Sequence, residues 1–302
     1  MSHKKFLGIF PPMSTFLDAR QNFDEQAQAK MIDHLIDAGV QGILILGSAG
    51  EFFAMSTAQR KQVAEFCLKY INGRVSALVN TGACSLSETI ELTAHAAANR
   101  ADGVLVINPY YTPLSEECLF DHYCKVATAS PIPVLLYNFP AMTKQALSVE
   151  LVARLAAAHS NIQGIKDSVA DVLHTRRIIL EVASQRDDFS VFSGFDEQLL
   201  NTLALGGAGG IPGTANFAPE VAMGLYNAFR QGEFAKAHEF HRAIAGLSDV
   251  YAIETPYFGT LKAAVNLRHQ LAASEEVIPP SRMLSSAGKQ KLQELLRRYR
   301  LI

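Results

Sequence analysis

A chain of 302 residues, 49% hydrophobic and 19% charged with a net charge of -2, has the make-up of an ordinary soluble globular protein, with room for one α/β barrel or two ordinary domains. The near-balance of charge gives no reason to expect nucleic acid or an anionic membrane as partner, and no apolar run reaches membrane-spanning length. The opening "MSHKKFLGIFPP" is too short in apolar residues for a signal peptide, and Cys67, Cys84, Cys118 and Cys124 show neither a C-x-x-C pair nor zinc-ligand spacing, so reduced thiols in a cytoplasmic protein are expected.

In chain order, "LGIF" predicts a first short strand. "DEQAQAKMIDHLIDAGV" follows as an amphipathic helix, with Met31, Leu35 and Ile36 at helical spacing and Gly39 near its stop. "GILILG" reads as a second strand. The next helix opens on a Ser56-x-x-Gln59 capping box and closes near Gly73. "SALVN", the helix "SLSETIELTAHAAA", "GVLVIN", "PVLLYN", the helix "LSVELVARLAAAH", "NIQGIK", "SVFSG" and "GGIPG" continue the alternation.

These strands are almost continuously apolar, as a parallel sheet buried on both faces requires. Eight βα units need about 250 residues, so the economical fold is an α/β TIM (β/α)8 barrel with additional C-terminal helices. The count of strands and the lack of a Gly-x-Gly-x-x-Gly fingerprint after the first favour it over a doubly wound open sheet. The barrel is expected over residues 1–231. Residues 232–302, including the basic tail "LLRRYRLI" as a solvated face, are expected to form a helical extension packed on it.

Barrel active sites lie at the C-terminal ends of the strands. The second strand ends in "GSAGEF", a glycine-flanked turn whose backbone N–H groups suit a carboxylate or phosphate, or merely a tight bend. The fourth ends in "NPYYTP", the fifth in "YNFPAMTK" with Tyr137 at its tip. The sixth ends on Lys166. That lysine reads either as half of a structural ion pair with Asp167 or as an amine whose neutral form a partly apolar pocket favours, able to form an imine with a keto group. Amine, phenol, hydroxyl and anion-binding turn make one chemistry together.

"GSAGE", "NPYY", "YNFP", "GIKDS" and "GGIPGTANFAP", in this order over nearly the whole chain, resemble the dihydrodipicolinate synthase / N-acetylneuraminate lyase family of pyruvate-dependent class I aldolases on TIM barrels. The resemblance implies Lys166 as the Schiff-base lysine, Tyr137 as the proton-shuttling tyrosine and Ser48 as the relay hydroxyl. It implies Tyr111 as the tyrosine that a neighbouring subunit inserts, which requires at least a dimer and, as the family commonly assembles, a homotetramer (a dimer of dimers). The backbone carbonyl of Ile211 would stand beside the catalytic centre. No metal or other cofactor is implied beyond the covalent imine.

Three features bear on substrate binding. Ala49 replaces the second hydroxyl of the family turn but leaves its backbone donors. Met142 stands where dihydrodipicolinate synthases carry an arginine for the partner's carboxylate, and a thioether cannot replace that fork of donors. "SGFDEQ" sets Gly194, Asp196 and Glu197 where sialate lyases meet sugar hydroxyls, although an acidic helix start also suits the helix dipole. Ser168, two residues past Lys166, is expected as a further substrate contact. "GSAGEF", "INPYY", "YNFPAMT", "GIKDS" and "NFAPE" resemble most the 2-keto-3-deoxy sugar acid aldolase branch of the family, and that resemblance implies reversible cleavage of a 2-keto-3-deoxy sugar acid, such as 2-keto-3-deoxygluconate or galactonate, to pyruvate and an aldehyde. An N-acetylneuraminate lyase-like enzyme and a keto-deoxy sugar acid dehydratase share its lysine and tyrosine. A non-catalytic keto-acid-binding protein stays open beside them, and a metal-dependent aldolase would need ligands that His238 and His241, on a late helix, do not supply.

Overall fold

Parallel pairing begins where the apolar runs lie. The computed structural model describes residues 6–271 and 273–302, and within them eight strands pair in parallel: β1 (Gly8–Ile9), β2 (Gly42–Ile45), β3 (Ser76–Asn80), β4 (Gly103–Ile107), β5 (Val134–Asn138), β6 (Ile162–Asp167), β7 (Ser190–Ser193) and β8 (Gly209–Gly210). Each of β2 to β7 neighbours its successor, and β8 returns to β1. Helices α1 (Glu25–Asp37), α2 (Thr57–Ile71), α3 (Leu86–Ala98), α4 (Glu116–Ala129), the short α5 (Pro140–Thr143), α6 (Val149–Ala158), α7 (Val172–Glu181), α8 (Leu199–Ala204) and α9 (Pro219–Arg230) lie between and after them. This is the (β/α)8 barrel.

The seam between β1 and β2 has a chemical reason for being thin. Pro11 and Pro12 follow β1 and have no N–H to donate, so the closure rests on Leu44 N–H donating to Pro11 O (3.0 Å) and Met13 N–H donating to Leu44 O (2.9 Å). The β1–β8 seam is short for a different reason. A Cβ at Gly209 would stand 1.9 Å from Gly8 O, so only glycine lets these two backbones meet. Elsewhere the strands are buried on both faces, as their unbroken apolar sequences require. The capping box is present as read: Gln59 N–H donates to Ser56 Oγ (3.3 Å) and Ser56 N–H to Gln59 Oε1 (2.9 Å).

After α9 come α10 (Phe234–Leu247), α11 (Phe258–His269) and α12 (Ser286–Arg298), with no further strand among the described residues. Their apolar faces, including Ile244, Leu247, Leu261, Val265 and Leu292, belong to the same hydrophobic core as the barrel. One ion pair ties them to the turn after β2. The fully buried Lys262 ammonium on α11 lies 2.5 Å from Glu51, also donates to Glu276 O (2.6 Å), and Glu51 accepts from Ile278 N–H (2.9 Å). Two desolvated charges are tolerated because each has further partners.

Candidate active site

Residues at one level of adjacent parallel strands share a face, so the register decides what meets what. Tyr137 on β5 and Lys166 on β6 are direct partners in the ladder, and the Lys166 Nζ lies 4.4 Å from the centre of the Tyr137 ring. Both are buried. The Tyr137 hydroxyl shares a hydrogen bond with Ser48 Oγ (3.3 Å), bringing together three residues separated by up to 118 positions. Phe139 stacks on Tyr137 at 5.8 Å and Phe195 meets Phe139 edge-on, which fixes the phenol's plane.

Of the two readings of Lys166, the ion pair with Asp167 is not formed. Successive strand residues point to opposite faces, and Asp167 faces the helices, where Asn138, His174 and Thr175 surround its carboxylate. Among the described residues Lys166 pairs with no carboxylate.

Around the amine opens a cavity of about 650 Å³ at the C-terminal mouth of the barrel, lined by Ser48, Ala49, Tyr137, Lys166, Ser168, Gly194, Asp196, Glu197 and Ile211 among others. At the turn Ser48–Gly50, Gly50 N–H and Glu51 N–H close the bend onto Gly47 and Ser48 carbonyls (2.9 and 3.0 Å). The N–H groups of Ser48 and Ala49 meet no protein acceptor among the described residues, so they stand free for an anion. Ala49 lacks a hydroxyl, but the backbone donors do not depend on it.

The acidic pair divides. Asp196 is buried, and its carboxylate accepts from Gly213 N–H (3.0 Å), Thr214 N–H (2.8 Å) and the Tyr251 hydroxyl (3.1 Å). Burial pushes its pKa up against the pull of those same bonds. These bonds tie it to the loop after β8 and to Tyr251, and it lines the cavity as well. Glu197 is exposed at the rim, accepting from Ser248 Oγ (3.3 Å). Ser168 is buried beside Gly194, and a Cβ on Gly194 would fall 1.8 Å from Ser168 Oγ. Ile211 is fully buried, its N–H held by Ser193 O (2.9 Å).

Tyr111 does not join this group within one chain: it is 90% exposed and absent from the cavity wall. Met142 lines the rim with about half its surface exposed. Sequence reasoning missed the contribution of the C-terminal helices. Ser248, Tyr251, Tyr257 and Leu261 complete the cavity from the far end of the chain. Burial drives the Tyr257 phenol well above its ordinary value, helped by Tyr137 and Asp196, so it stays a neutral donor. The tyrosines of "VYAIETPYFG" flank apolar helices, and only that aromatic density marked the segment. Among the described residues no group of three or more His, Cys, Asp or Glu is arranged to hold a metal ion.

Comparison with known proteins agrees with this geometry. The putative 2-dehydro-3-deoxy-D-gluconate aldolase YagE of Escherichia coli K12 is 42% identical over 296 residues, covering 98% of each chain. The probable 2-dehydro-3-deoxy-D-pentonate aldolase YjhH of the same organism is 42% identical over 293 residues, covering 97% of each. The crystal structure of YagE in complex with pyruvate superposes with a TM-score of 0.96 at 41% identity, over 98% of this chain and 99% of that one. Dihydrodipicolinate synthase from Aquifex aeolicus superposes at 0.92 with 30% identity, over 98% and 99%. Residues 5–299 match the Dihydrodipicolinate synthetase family, and the chain belongs to that family.

Proposed function

We propose that this protein is a Schiff-base aldolase that reversibly cleaves a 2-keto-3-deoxy sugar acid to pyruvate and an aldehyde, with Lys166 as the nucleophile. The observation that carries the reading is the Lys166 amine, buried against the Tyr137 ring with no carboxylate partner among the described residues, in a cavity whose turn offers N–H groups that meet no acceptor there. Two relatives named as 2-dehydro-3-deoxy sugar acid aldolases, one of them crystallised with pyruvate, support the same chemistry.

In this reading the Ser48 and Ala49 N–H groups hold the substrate carboxylate. Neutral Lys166 adds to C2, and loss of the C2 oxygen as water leaves a protonated imine. Tyr137, relayed through Ser48, takes the proton from the C4 hydroxyl. The C3–C4 bond breaks, the aldehyde leaves, and the electron pair rests in the enamine. Protonation at C3 and attack of water on the imine carbon release pyruvate and restore the amine. Tyr111 serves in the site of a second copy, so the active form is a homo-oligomer, a dimer of dimers. Glu197 and Ser168 contact the hydroxylated tail, while Asp196 shapes the Ile211–Thr214 loop. The boundary near residue 231 is architectural: the barrel supplies the chemistry and residues 232–302 supply part of the cavity wall. The enzyme works in the cytoplasm.

Borohydride reduction in the presence of pyruvate tests the imine, with the adduct located by mass spectrometry on Lys166. Incubation with 2-keto-3-deoxygluconate or galactonate tests the bond cleaved. Pyruvate release supports the aldolase, whereas a product that keeps all six carbons transfers the assignment to a dehydratase.

A further inference from the structure

Behind the barrel wall, on the rung following Tyr137 and Lys166, four residues close a ring of hydrogen bonds. Asn138 Nδ2 donates to Asp167 Oδ1 (2.8 Å), and His174 Nδ1 meets Asp167 Oδ2 (2.9 Å). His174 Nε2 meets Leu147 O (2.8 Å), and Leu147 N–H donates to Asn138 Oδ1 (3.0 Å), which completes the circuit. Thr175 Oγ1 also donates to Asp167 Oδ2 (2.6 Å). Asn138 and Asp167 are ladder partners, one step beyond the Tyr137–Lys166 pair. The ring therefore grips the outer face of the two strands whose inner face carries the proposed chemistry.

The partners dictate the charge of His174. A carbonyl can only accept, and a carboxylate already receiving Asn138 and Thr175 donors accepts as well. Both imidazole nitrogens must then donate, which only the imidazolium can do. A neutral ring would set a lone pair against one of the two oxygens and open the ring at Leu147 or at Asp167. The charged groups around it agree. Asp167 faces it from β6, Asp171 from the start of its own helix, and Glu150, paired with Arg177, from α6. Burial works against the imidazolium, but the Asp167 bond and field, with the Leu147 carbonyl and Asp171, outweigh it and hold the pKa above 6.5.

We propose that His174 is a positioning residue for the Tyr137–Lys166 pair, acting as an imidazolium through Asp167, Asn138 and Leu147, and that loss of its proton sets an alkaline limit on imine formation. The role rests on the aldolase reading; the charge of the ring does not. On deprotonation the proton leaves to solvent through the small exposed edge of the imidazole, and one of its two hydrogen bonds is lost. The ladder and the Asn138–Asp167 bond remain, but the ends of β5 and β6 lose a brace on their outer face, enough for a small displacement of the side chains on the inner face. Misplacement of reacting groups by a fraction of an ångström to one ångström is costly to rate.

The test uses the full chain. ¹⁵N-histidine NMR follows His174, and borohydride trapping of pyruvate is timed across a pH series from about 6 to about 9, spanning the histidine range. The wild type, His174→Gln and the exposed control His238→Gln are compared. Both His174 nitrogens should carry protons at neutral pH, and wild-type trapping should slow in step with their titration. His174→Gln should trap about tenfold more slowly and lose that alkaline limb, while His238→Gln keeps the wild-type profile. A His174 nitrogen unprotonated at neutral pH overturns the proposal, as does a folded His174→Gln protein with the wild-type rate and profile. Should that variant not fold, a wild-type alkaline limb that fails to coincide with the NMR titration overturns it equally. If the wild type traps no pyruvate at any pH, the aldolase reading fails and the positioning role falls with it, while the NMR still decides the charge.

Discussion

Lys166 Nζ sits 4.4 Å above the Tyr137 ring because the two residues are register partners on neighbouring parallel strands. Their apposition is a property of the ladder, not of flexible side chains reaching towards each other. A change that leaves the strands in place should therefore separate the roles of the two groups cleanly.

Lys166→Ala should keep the fold and lose at least about 10³-fold in turnover, since removal of a covalent nucleophile costs on that order or more. Borohydride should trap no pyruvate on the variant. Turnover of an active keto-deoxy acid at the wild-type rate would remove Lys166 from the mechanism.

Tyr137→Phe keeps the ring that stacks on Phe139 and lies beside Lys166 but deletes the hydroxyl bonded to Ser48. Turnover should fall about 10²- to 10⁴-fold, the usual contribution of a placed proton carrier. Ser48→Ala should cost only about three- to tenfold, the worth of one net hydrogen bond. Steady-state rates of the two variants, with unchanged melting temperatures, check the ranking.

Met142→Arg places a guanidinium on the exposed rim of the cavity, where no core packing is lost. The preference for an aldehyde bearing a carboxylate over a neutral one should rise about tenfold, through charge-assisted hydrogen bonding. The ratio of kcat/KM for the two aldehydes in the condensation direction is the measurement. No change in that ratio would mean that Met142 does not face the aldehyde.

Gly194→Ala drives a methyl group to 1.8 Å from Ser168 Oγ, between β6 and β7. Overpacking of this kind costs about 1–3 kcal/mol, so the urea midpoint should fall. Because Ser168 lines the cavity, KM should rise more than kcat drops.

His122 on α4 is buried against Tyr123, and burial, reinforced by Lys125, holds its pKa down at about 4. The folded protein keeps it neutral while the unfolded chain protonates it near 6.5, so its contribution to stability is complete above 6.5. That contribution is lost as pH falls from 6.5 through about 4. Unfolding free energies measured across this range should decline with acid, and His122→Gln should decline less steeply. An equal slope in the two proteins would contradict a neutral buried His122.

Much of this was readable along the chain, for local reasons. Unbroken apolar runs such as "GILILG" and "GVLVIN" demand burial on both faces, and the Ser56–Gln59 box marks a helix start within four residues. A lysine ending such a strand is legible as an anomaly, because an ammonium has no reason to enter a core unless it is used there. What the sequence left open are contacts made across long separations. Whether Lys166 paired with Asp167 turned on which face each side chain took. Which protein groups Asp196 would bond turned on Tyr251, 55 residues later, and on the loop at Gly213 and Thr214. Glu51 and Lys262 are separated by 211 positions, and nothing local to either residue forecasts their meeting. Periodicity and capping act over one or two turns, so one chain displays them. Hydrogen-bond partners are chosen by the closing of the barrel, and that choice exists only in three dimensions.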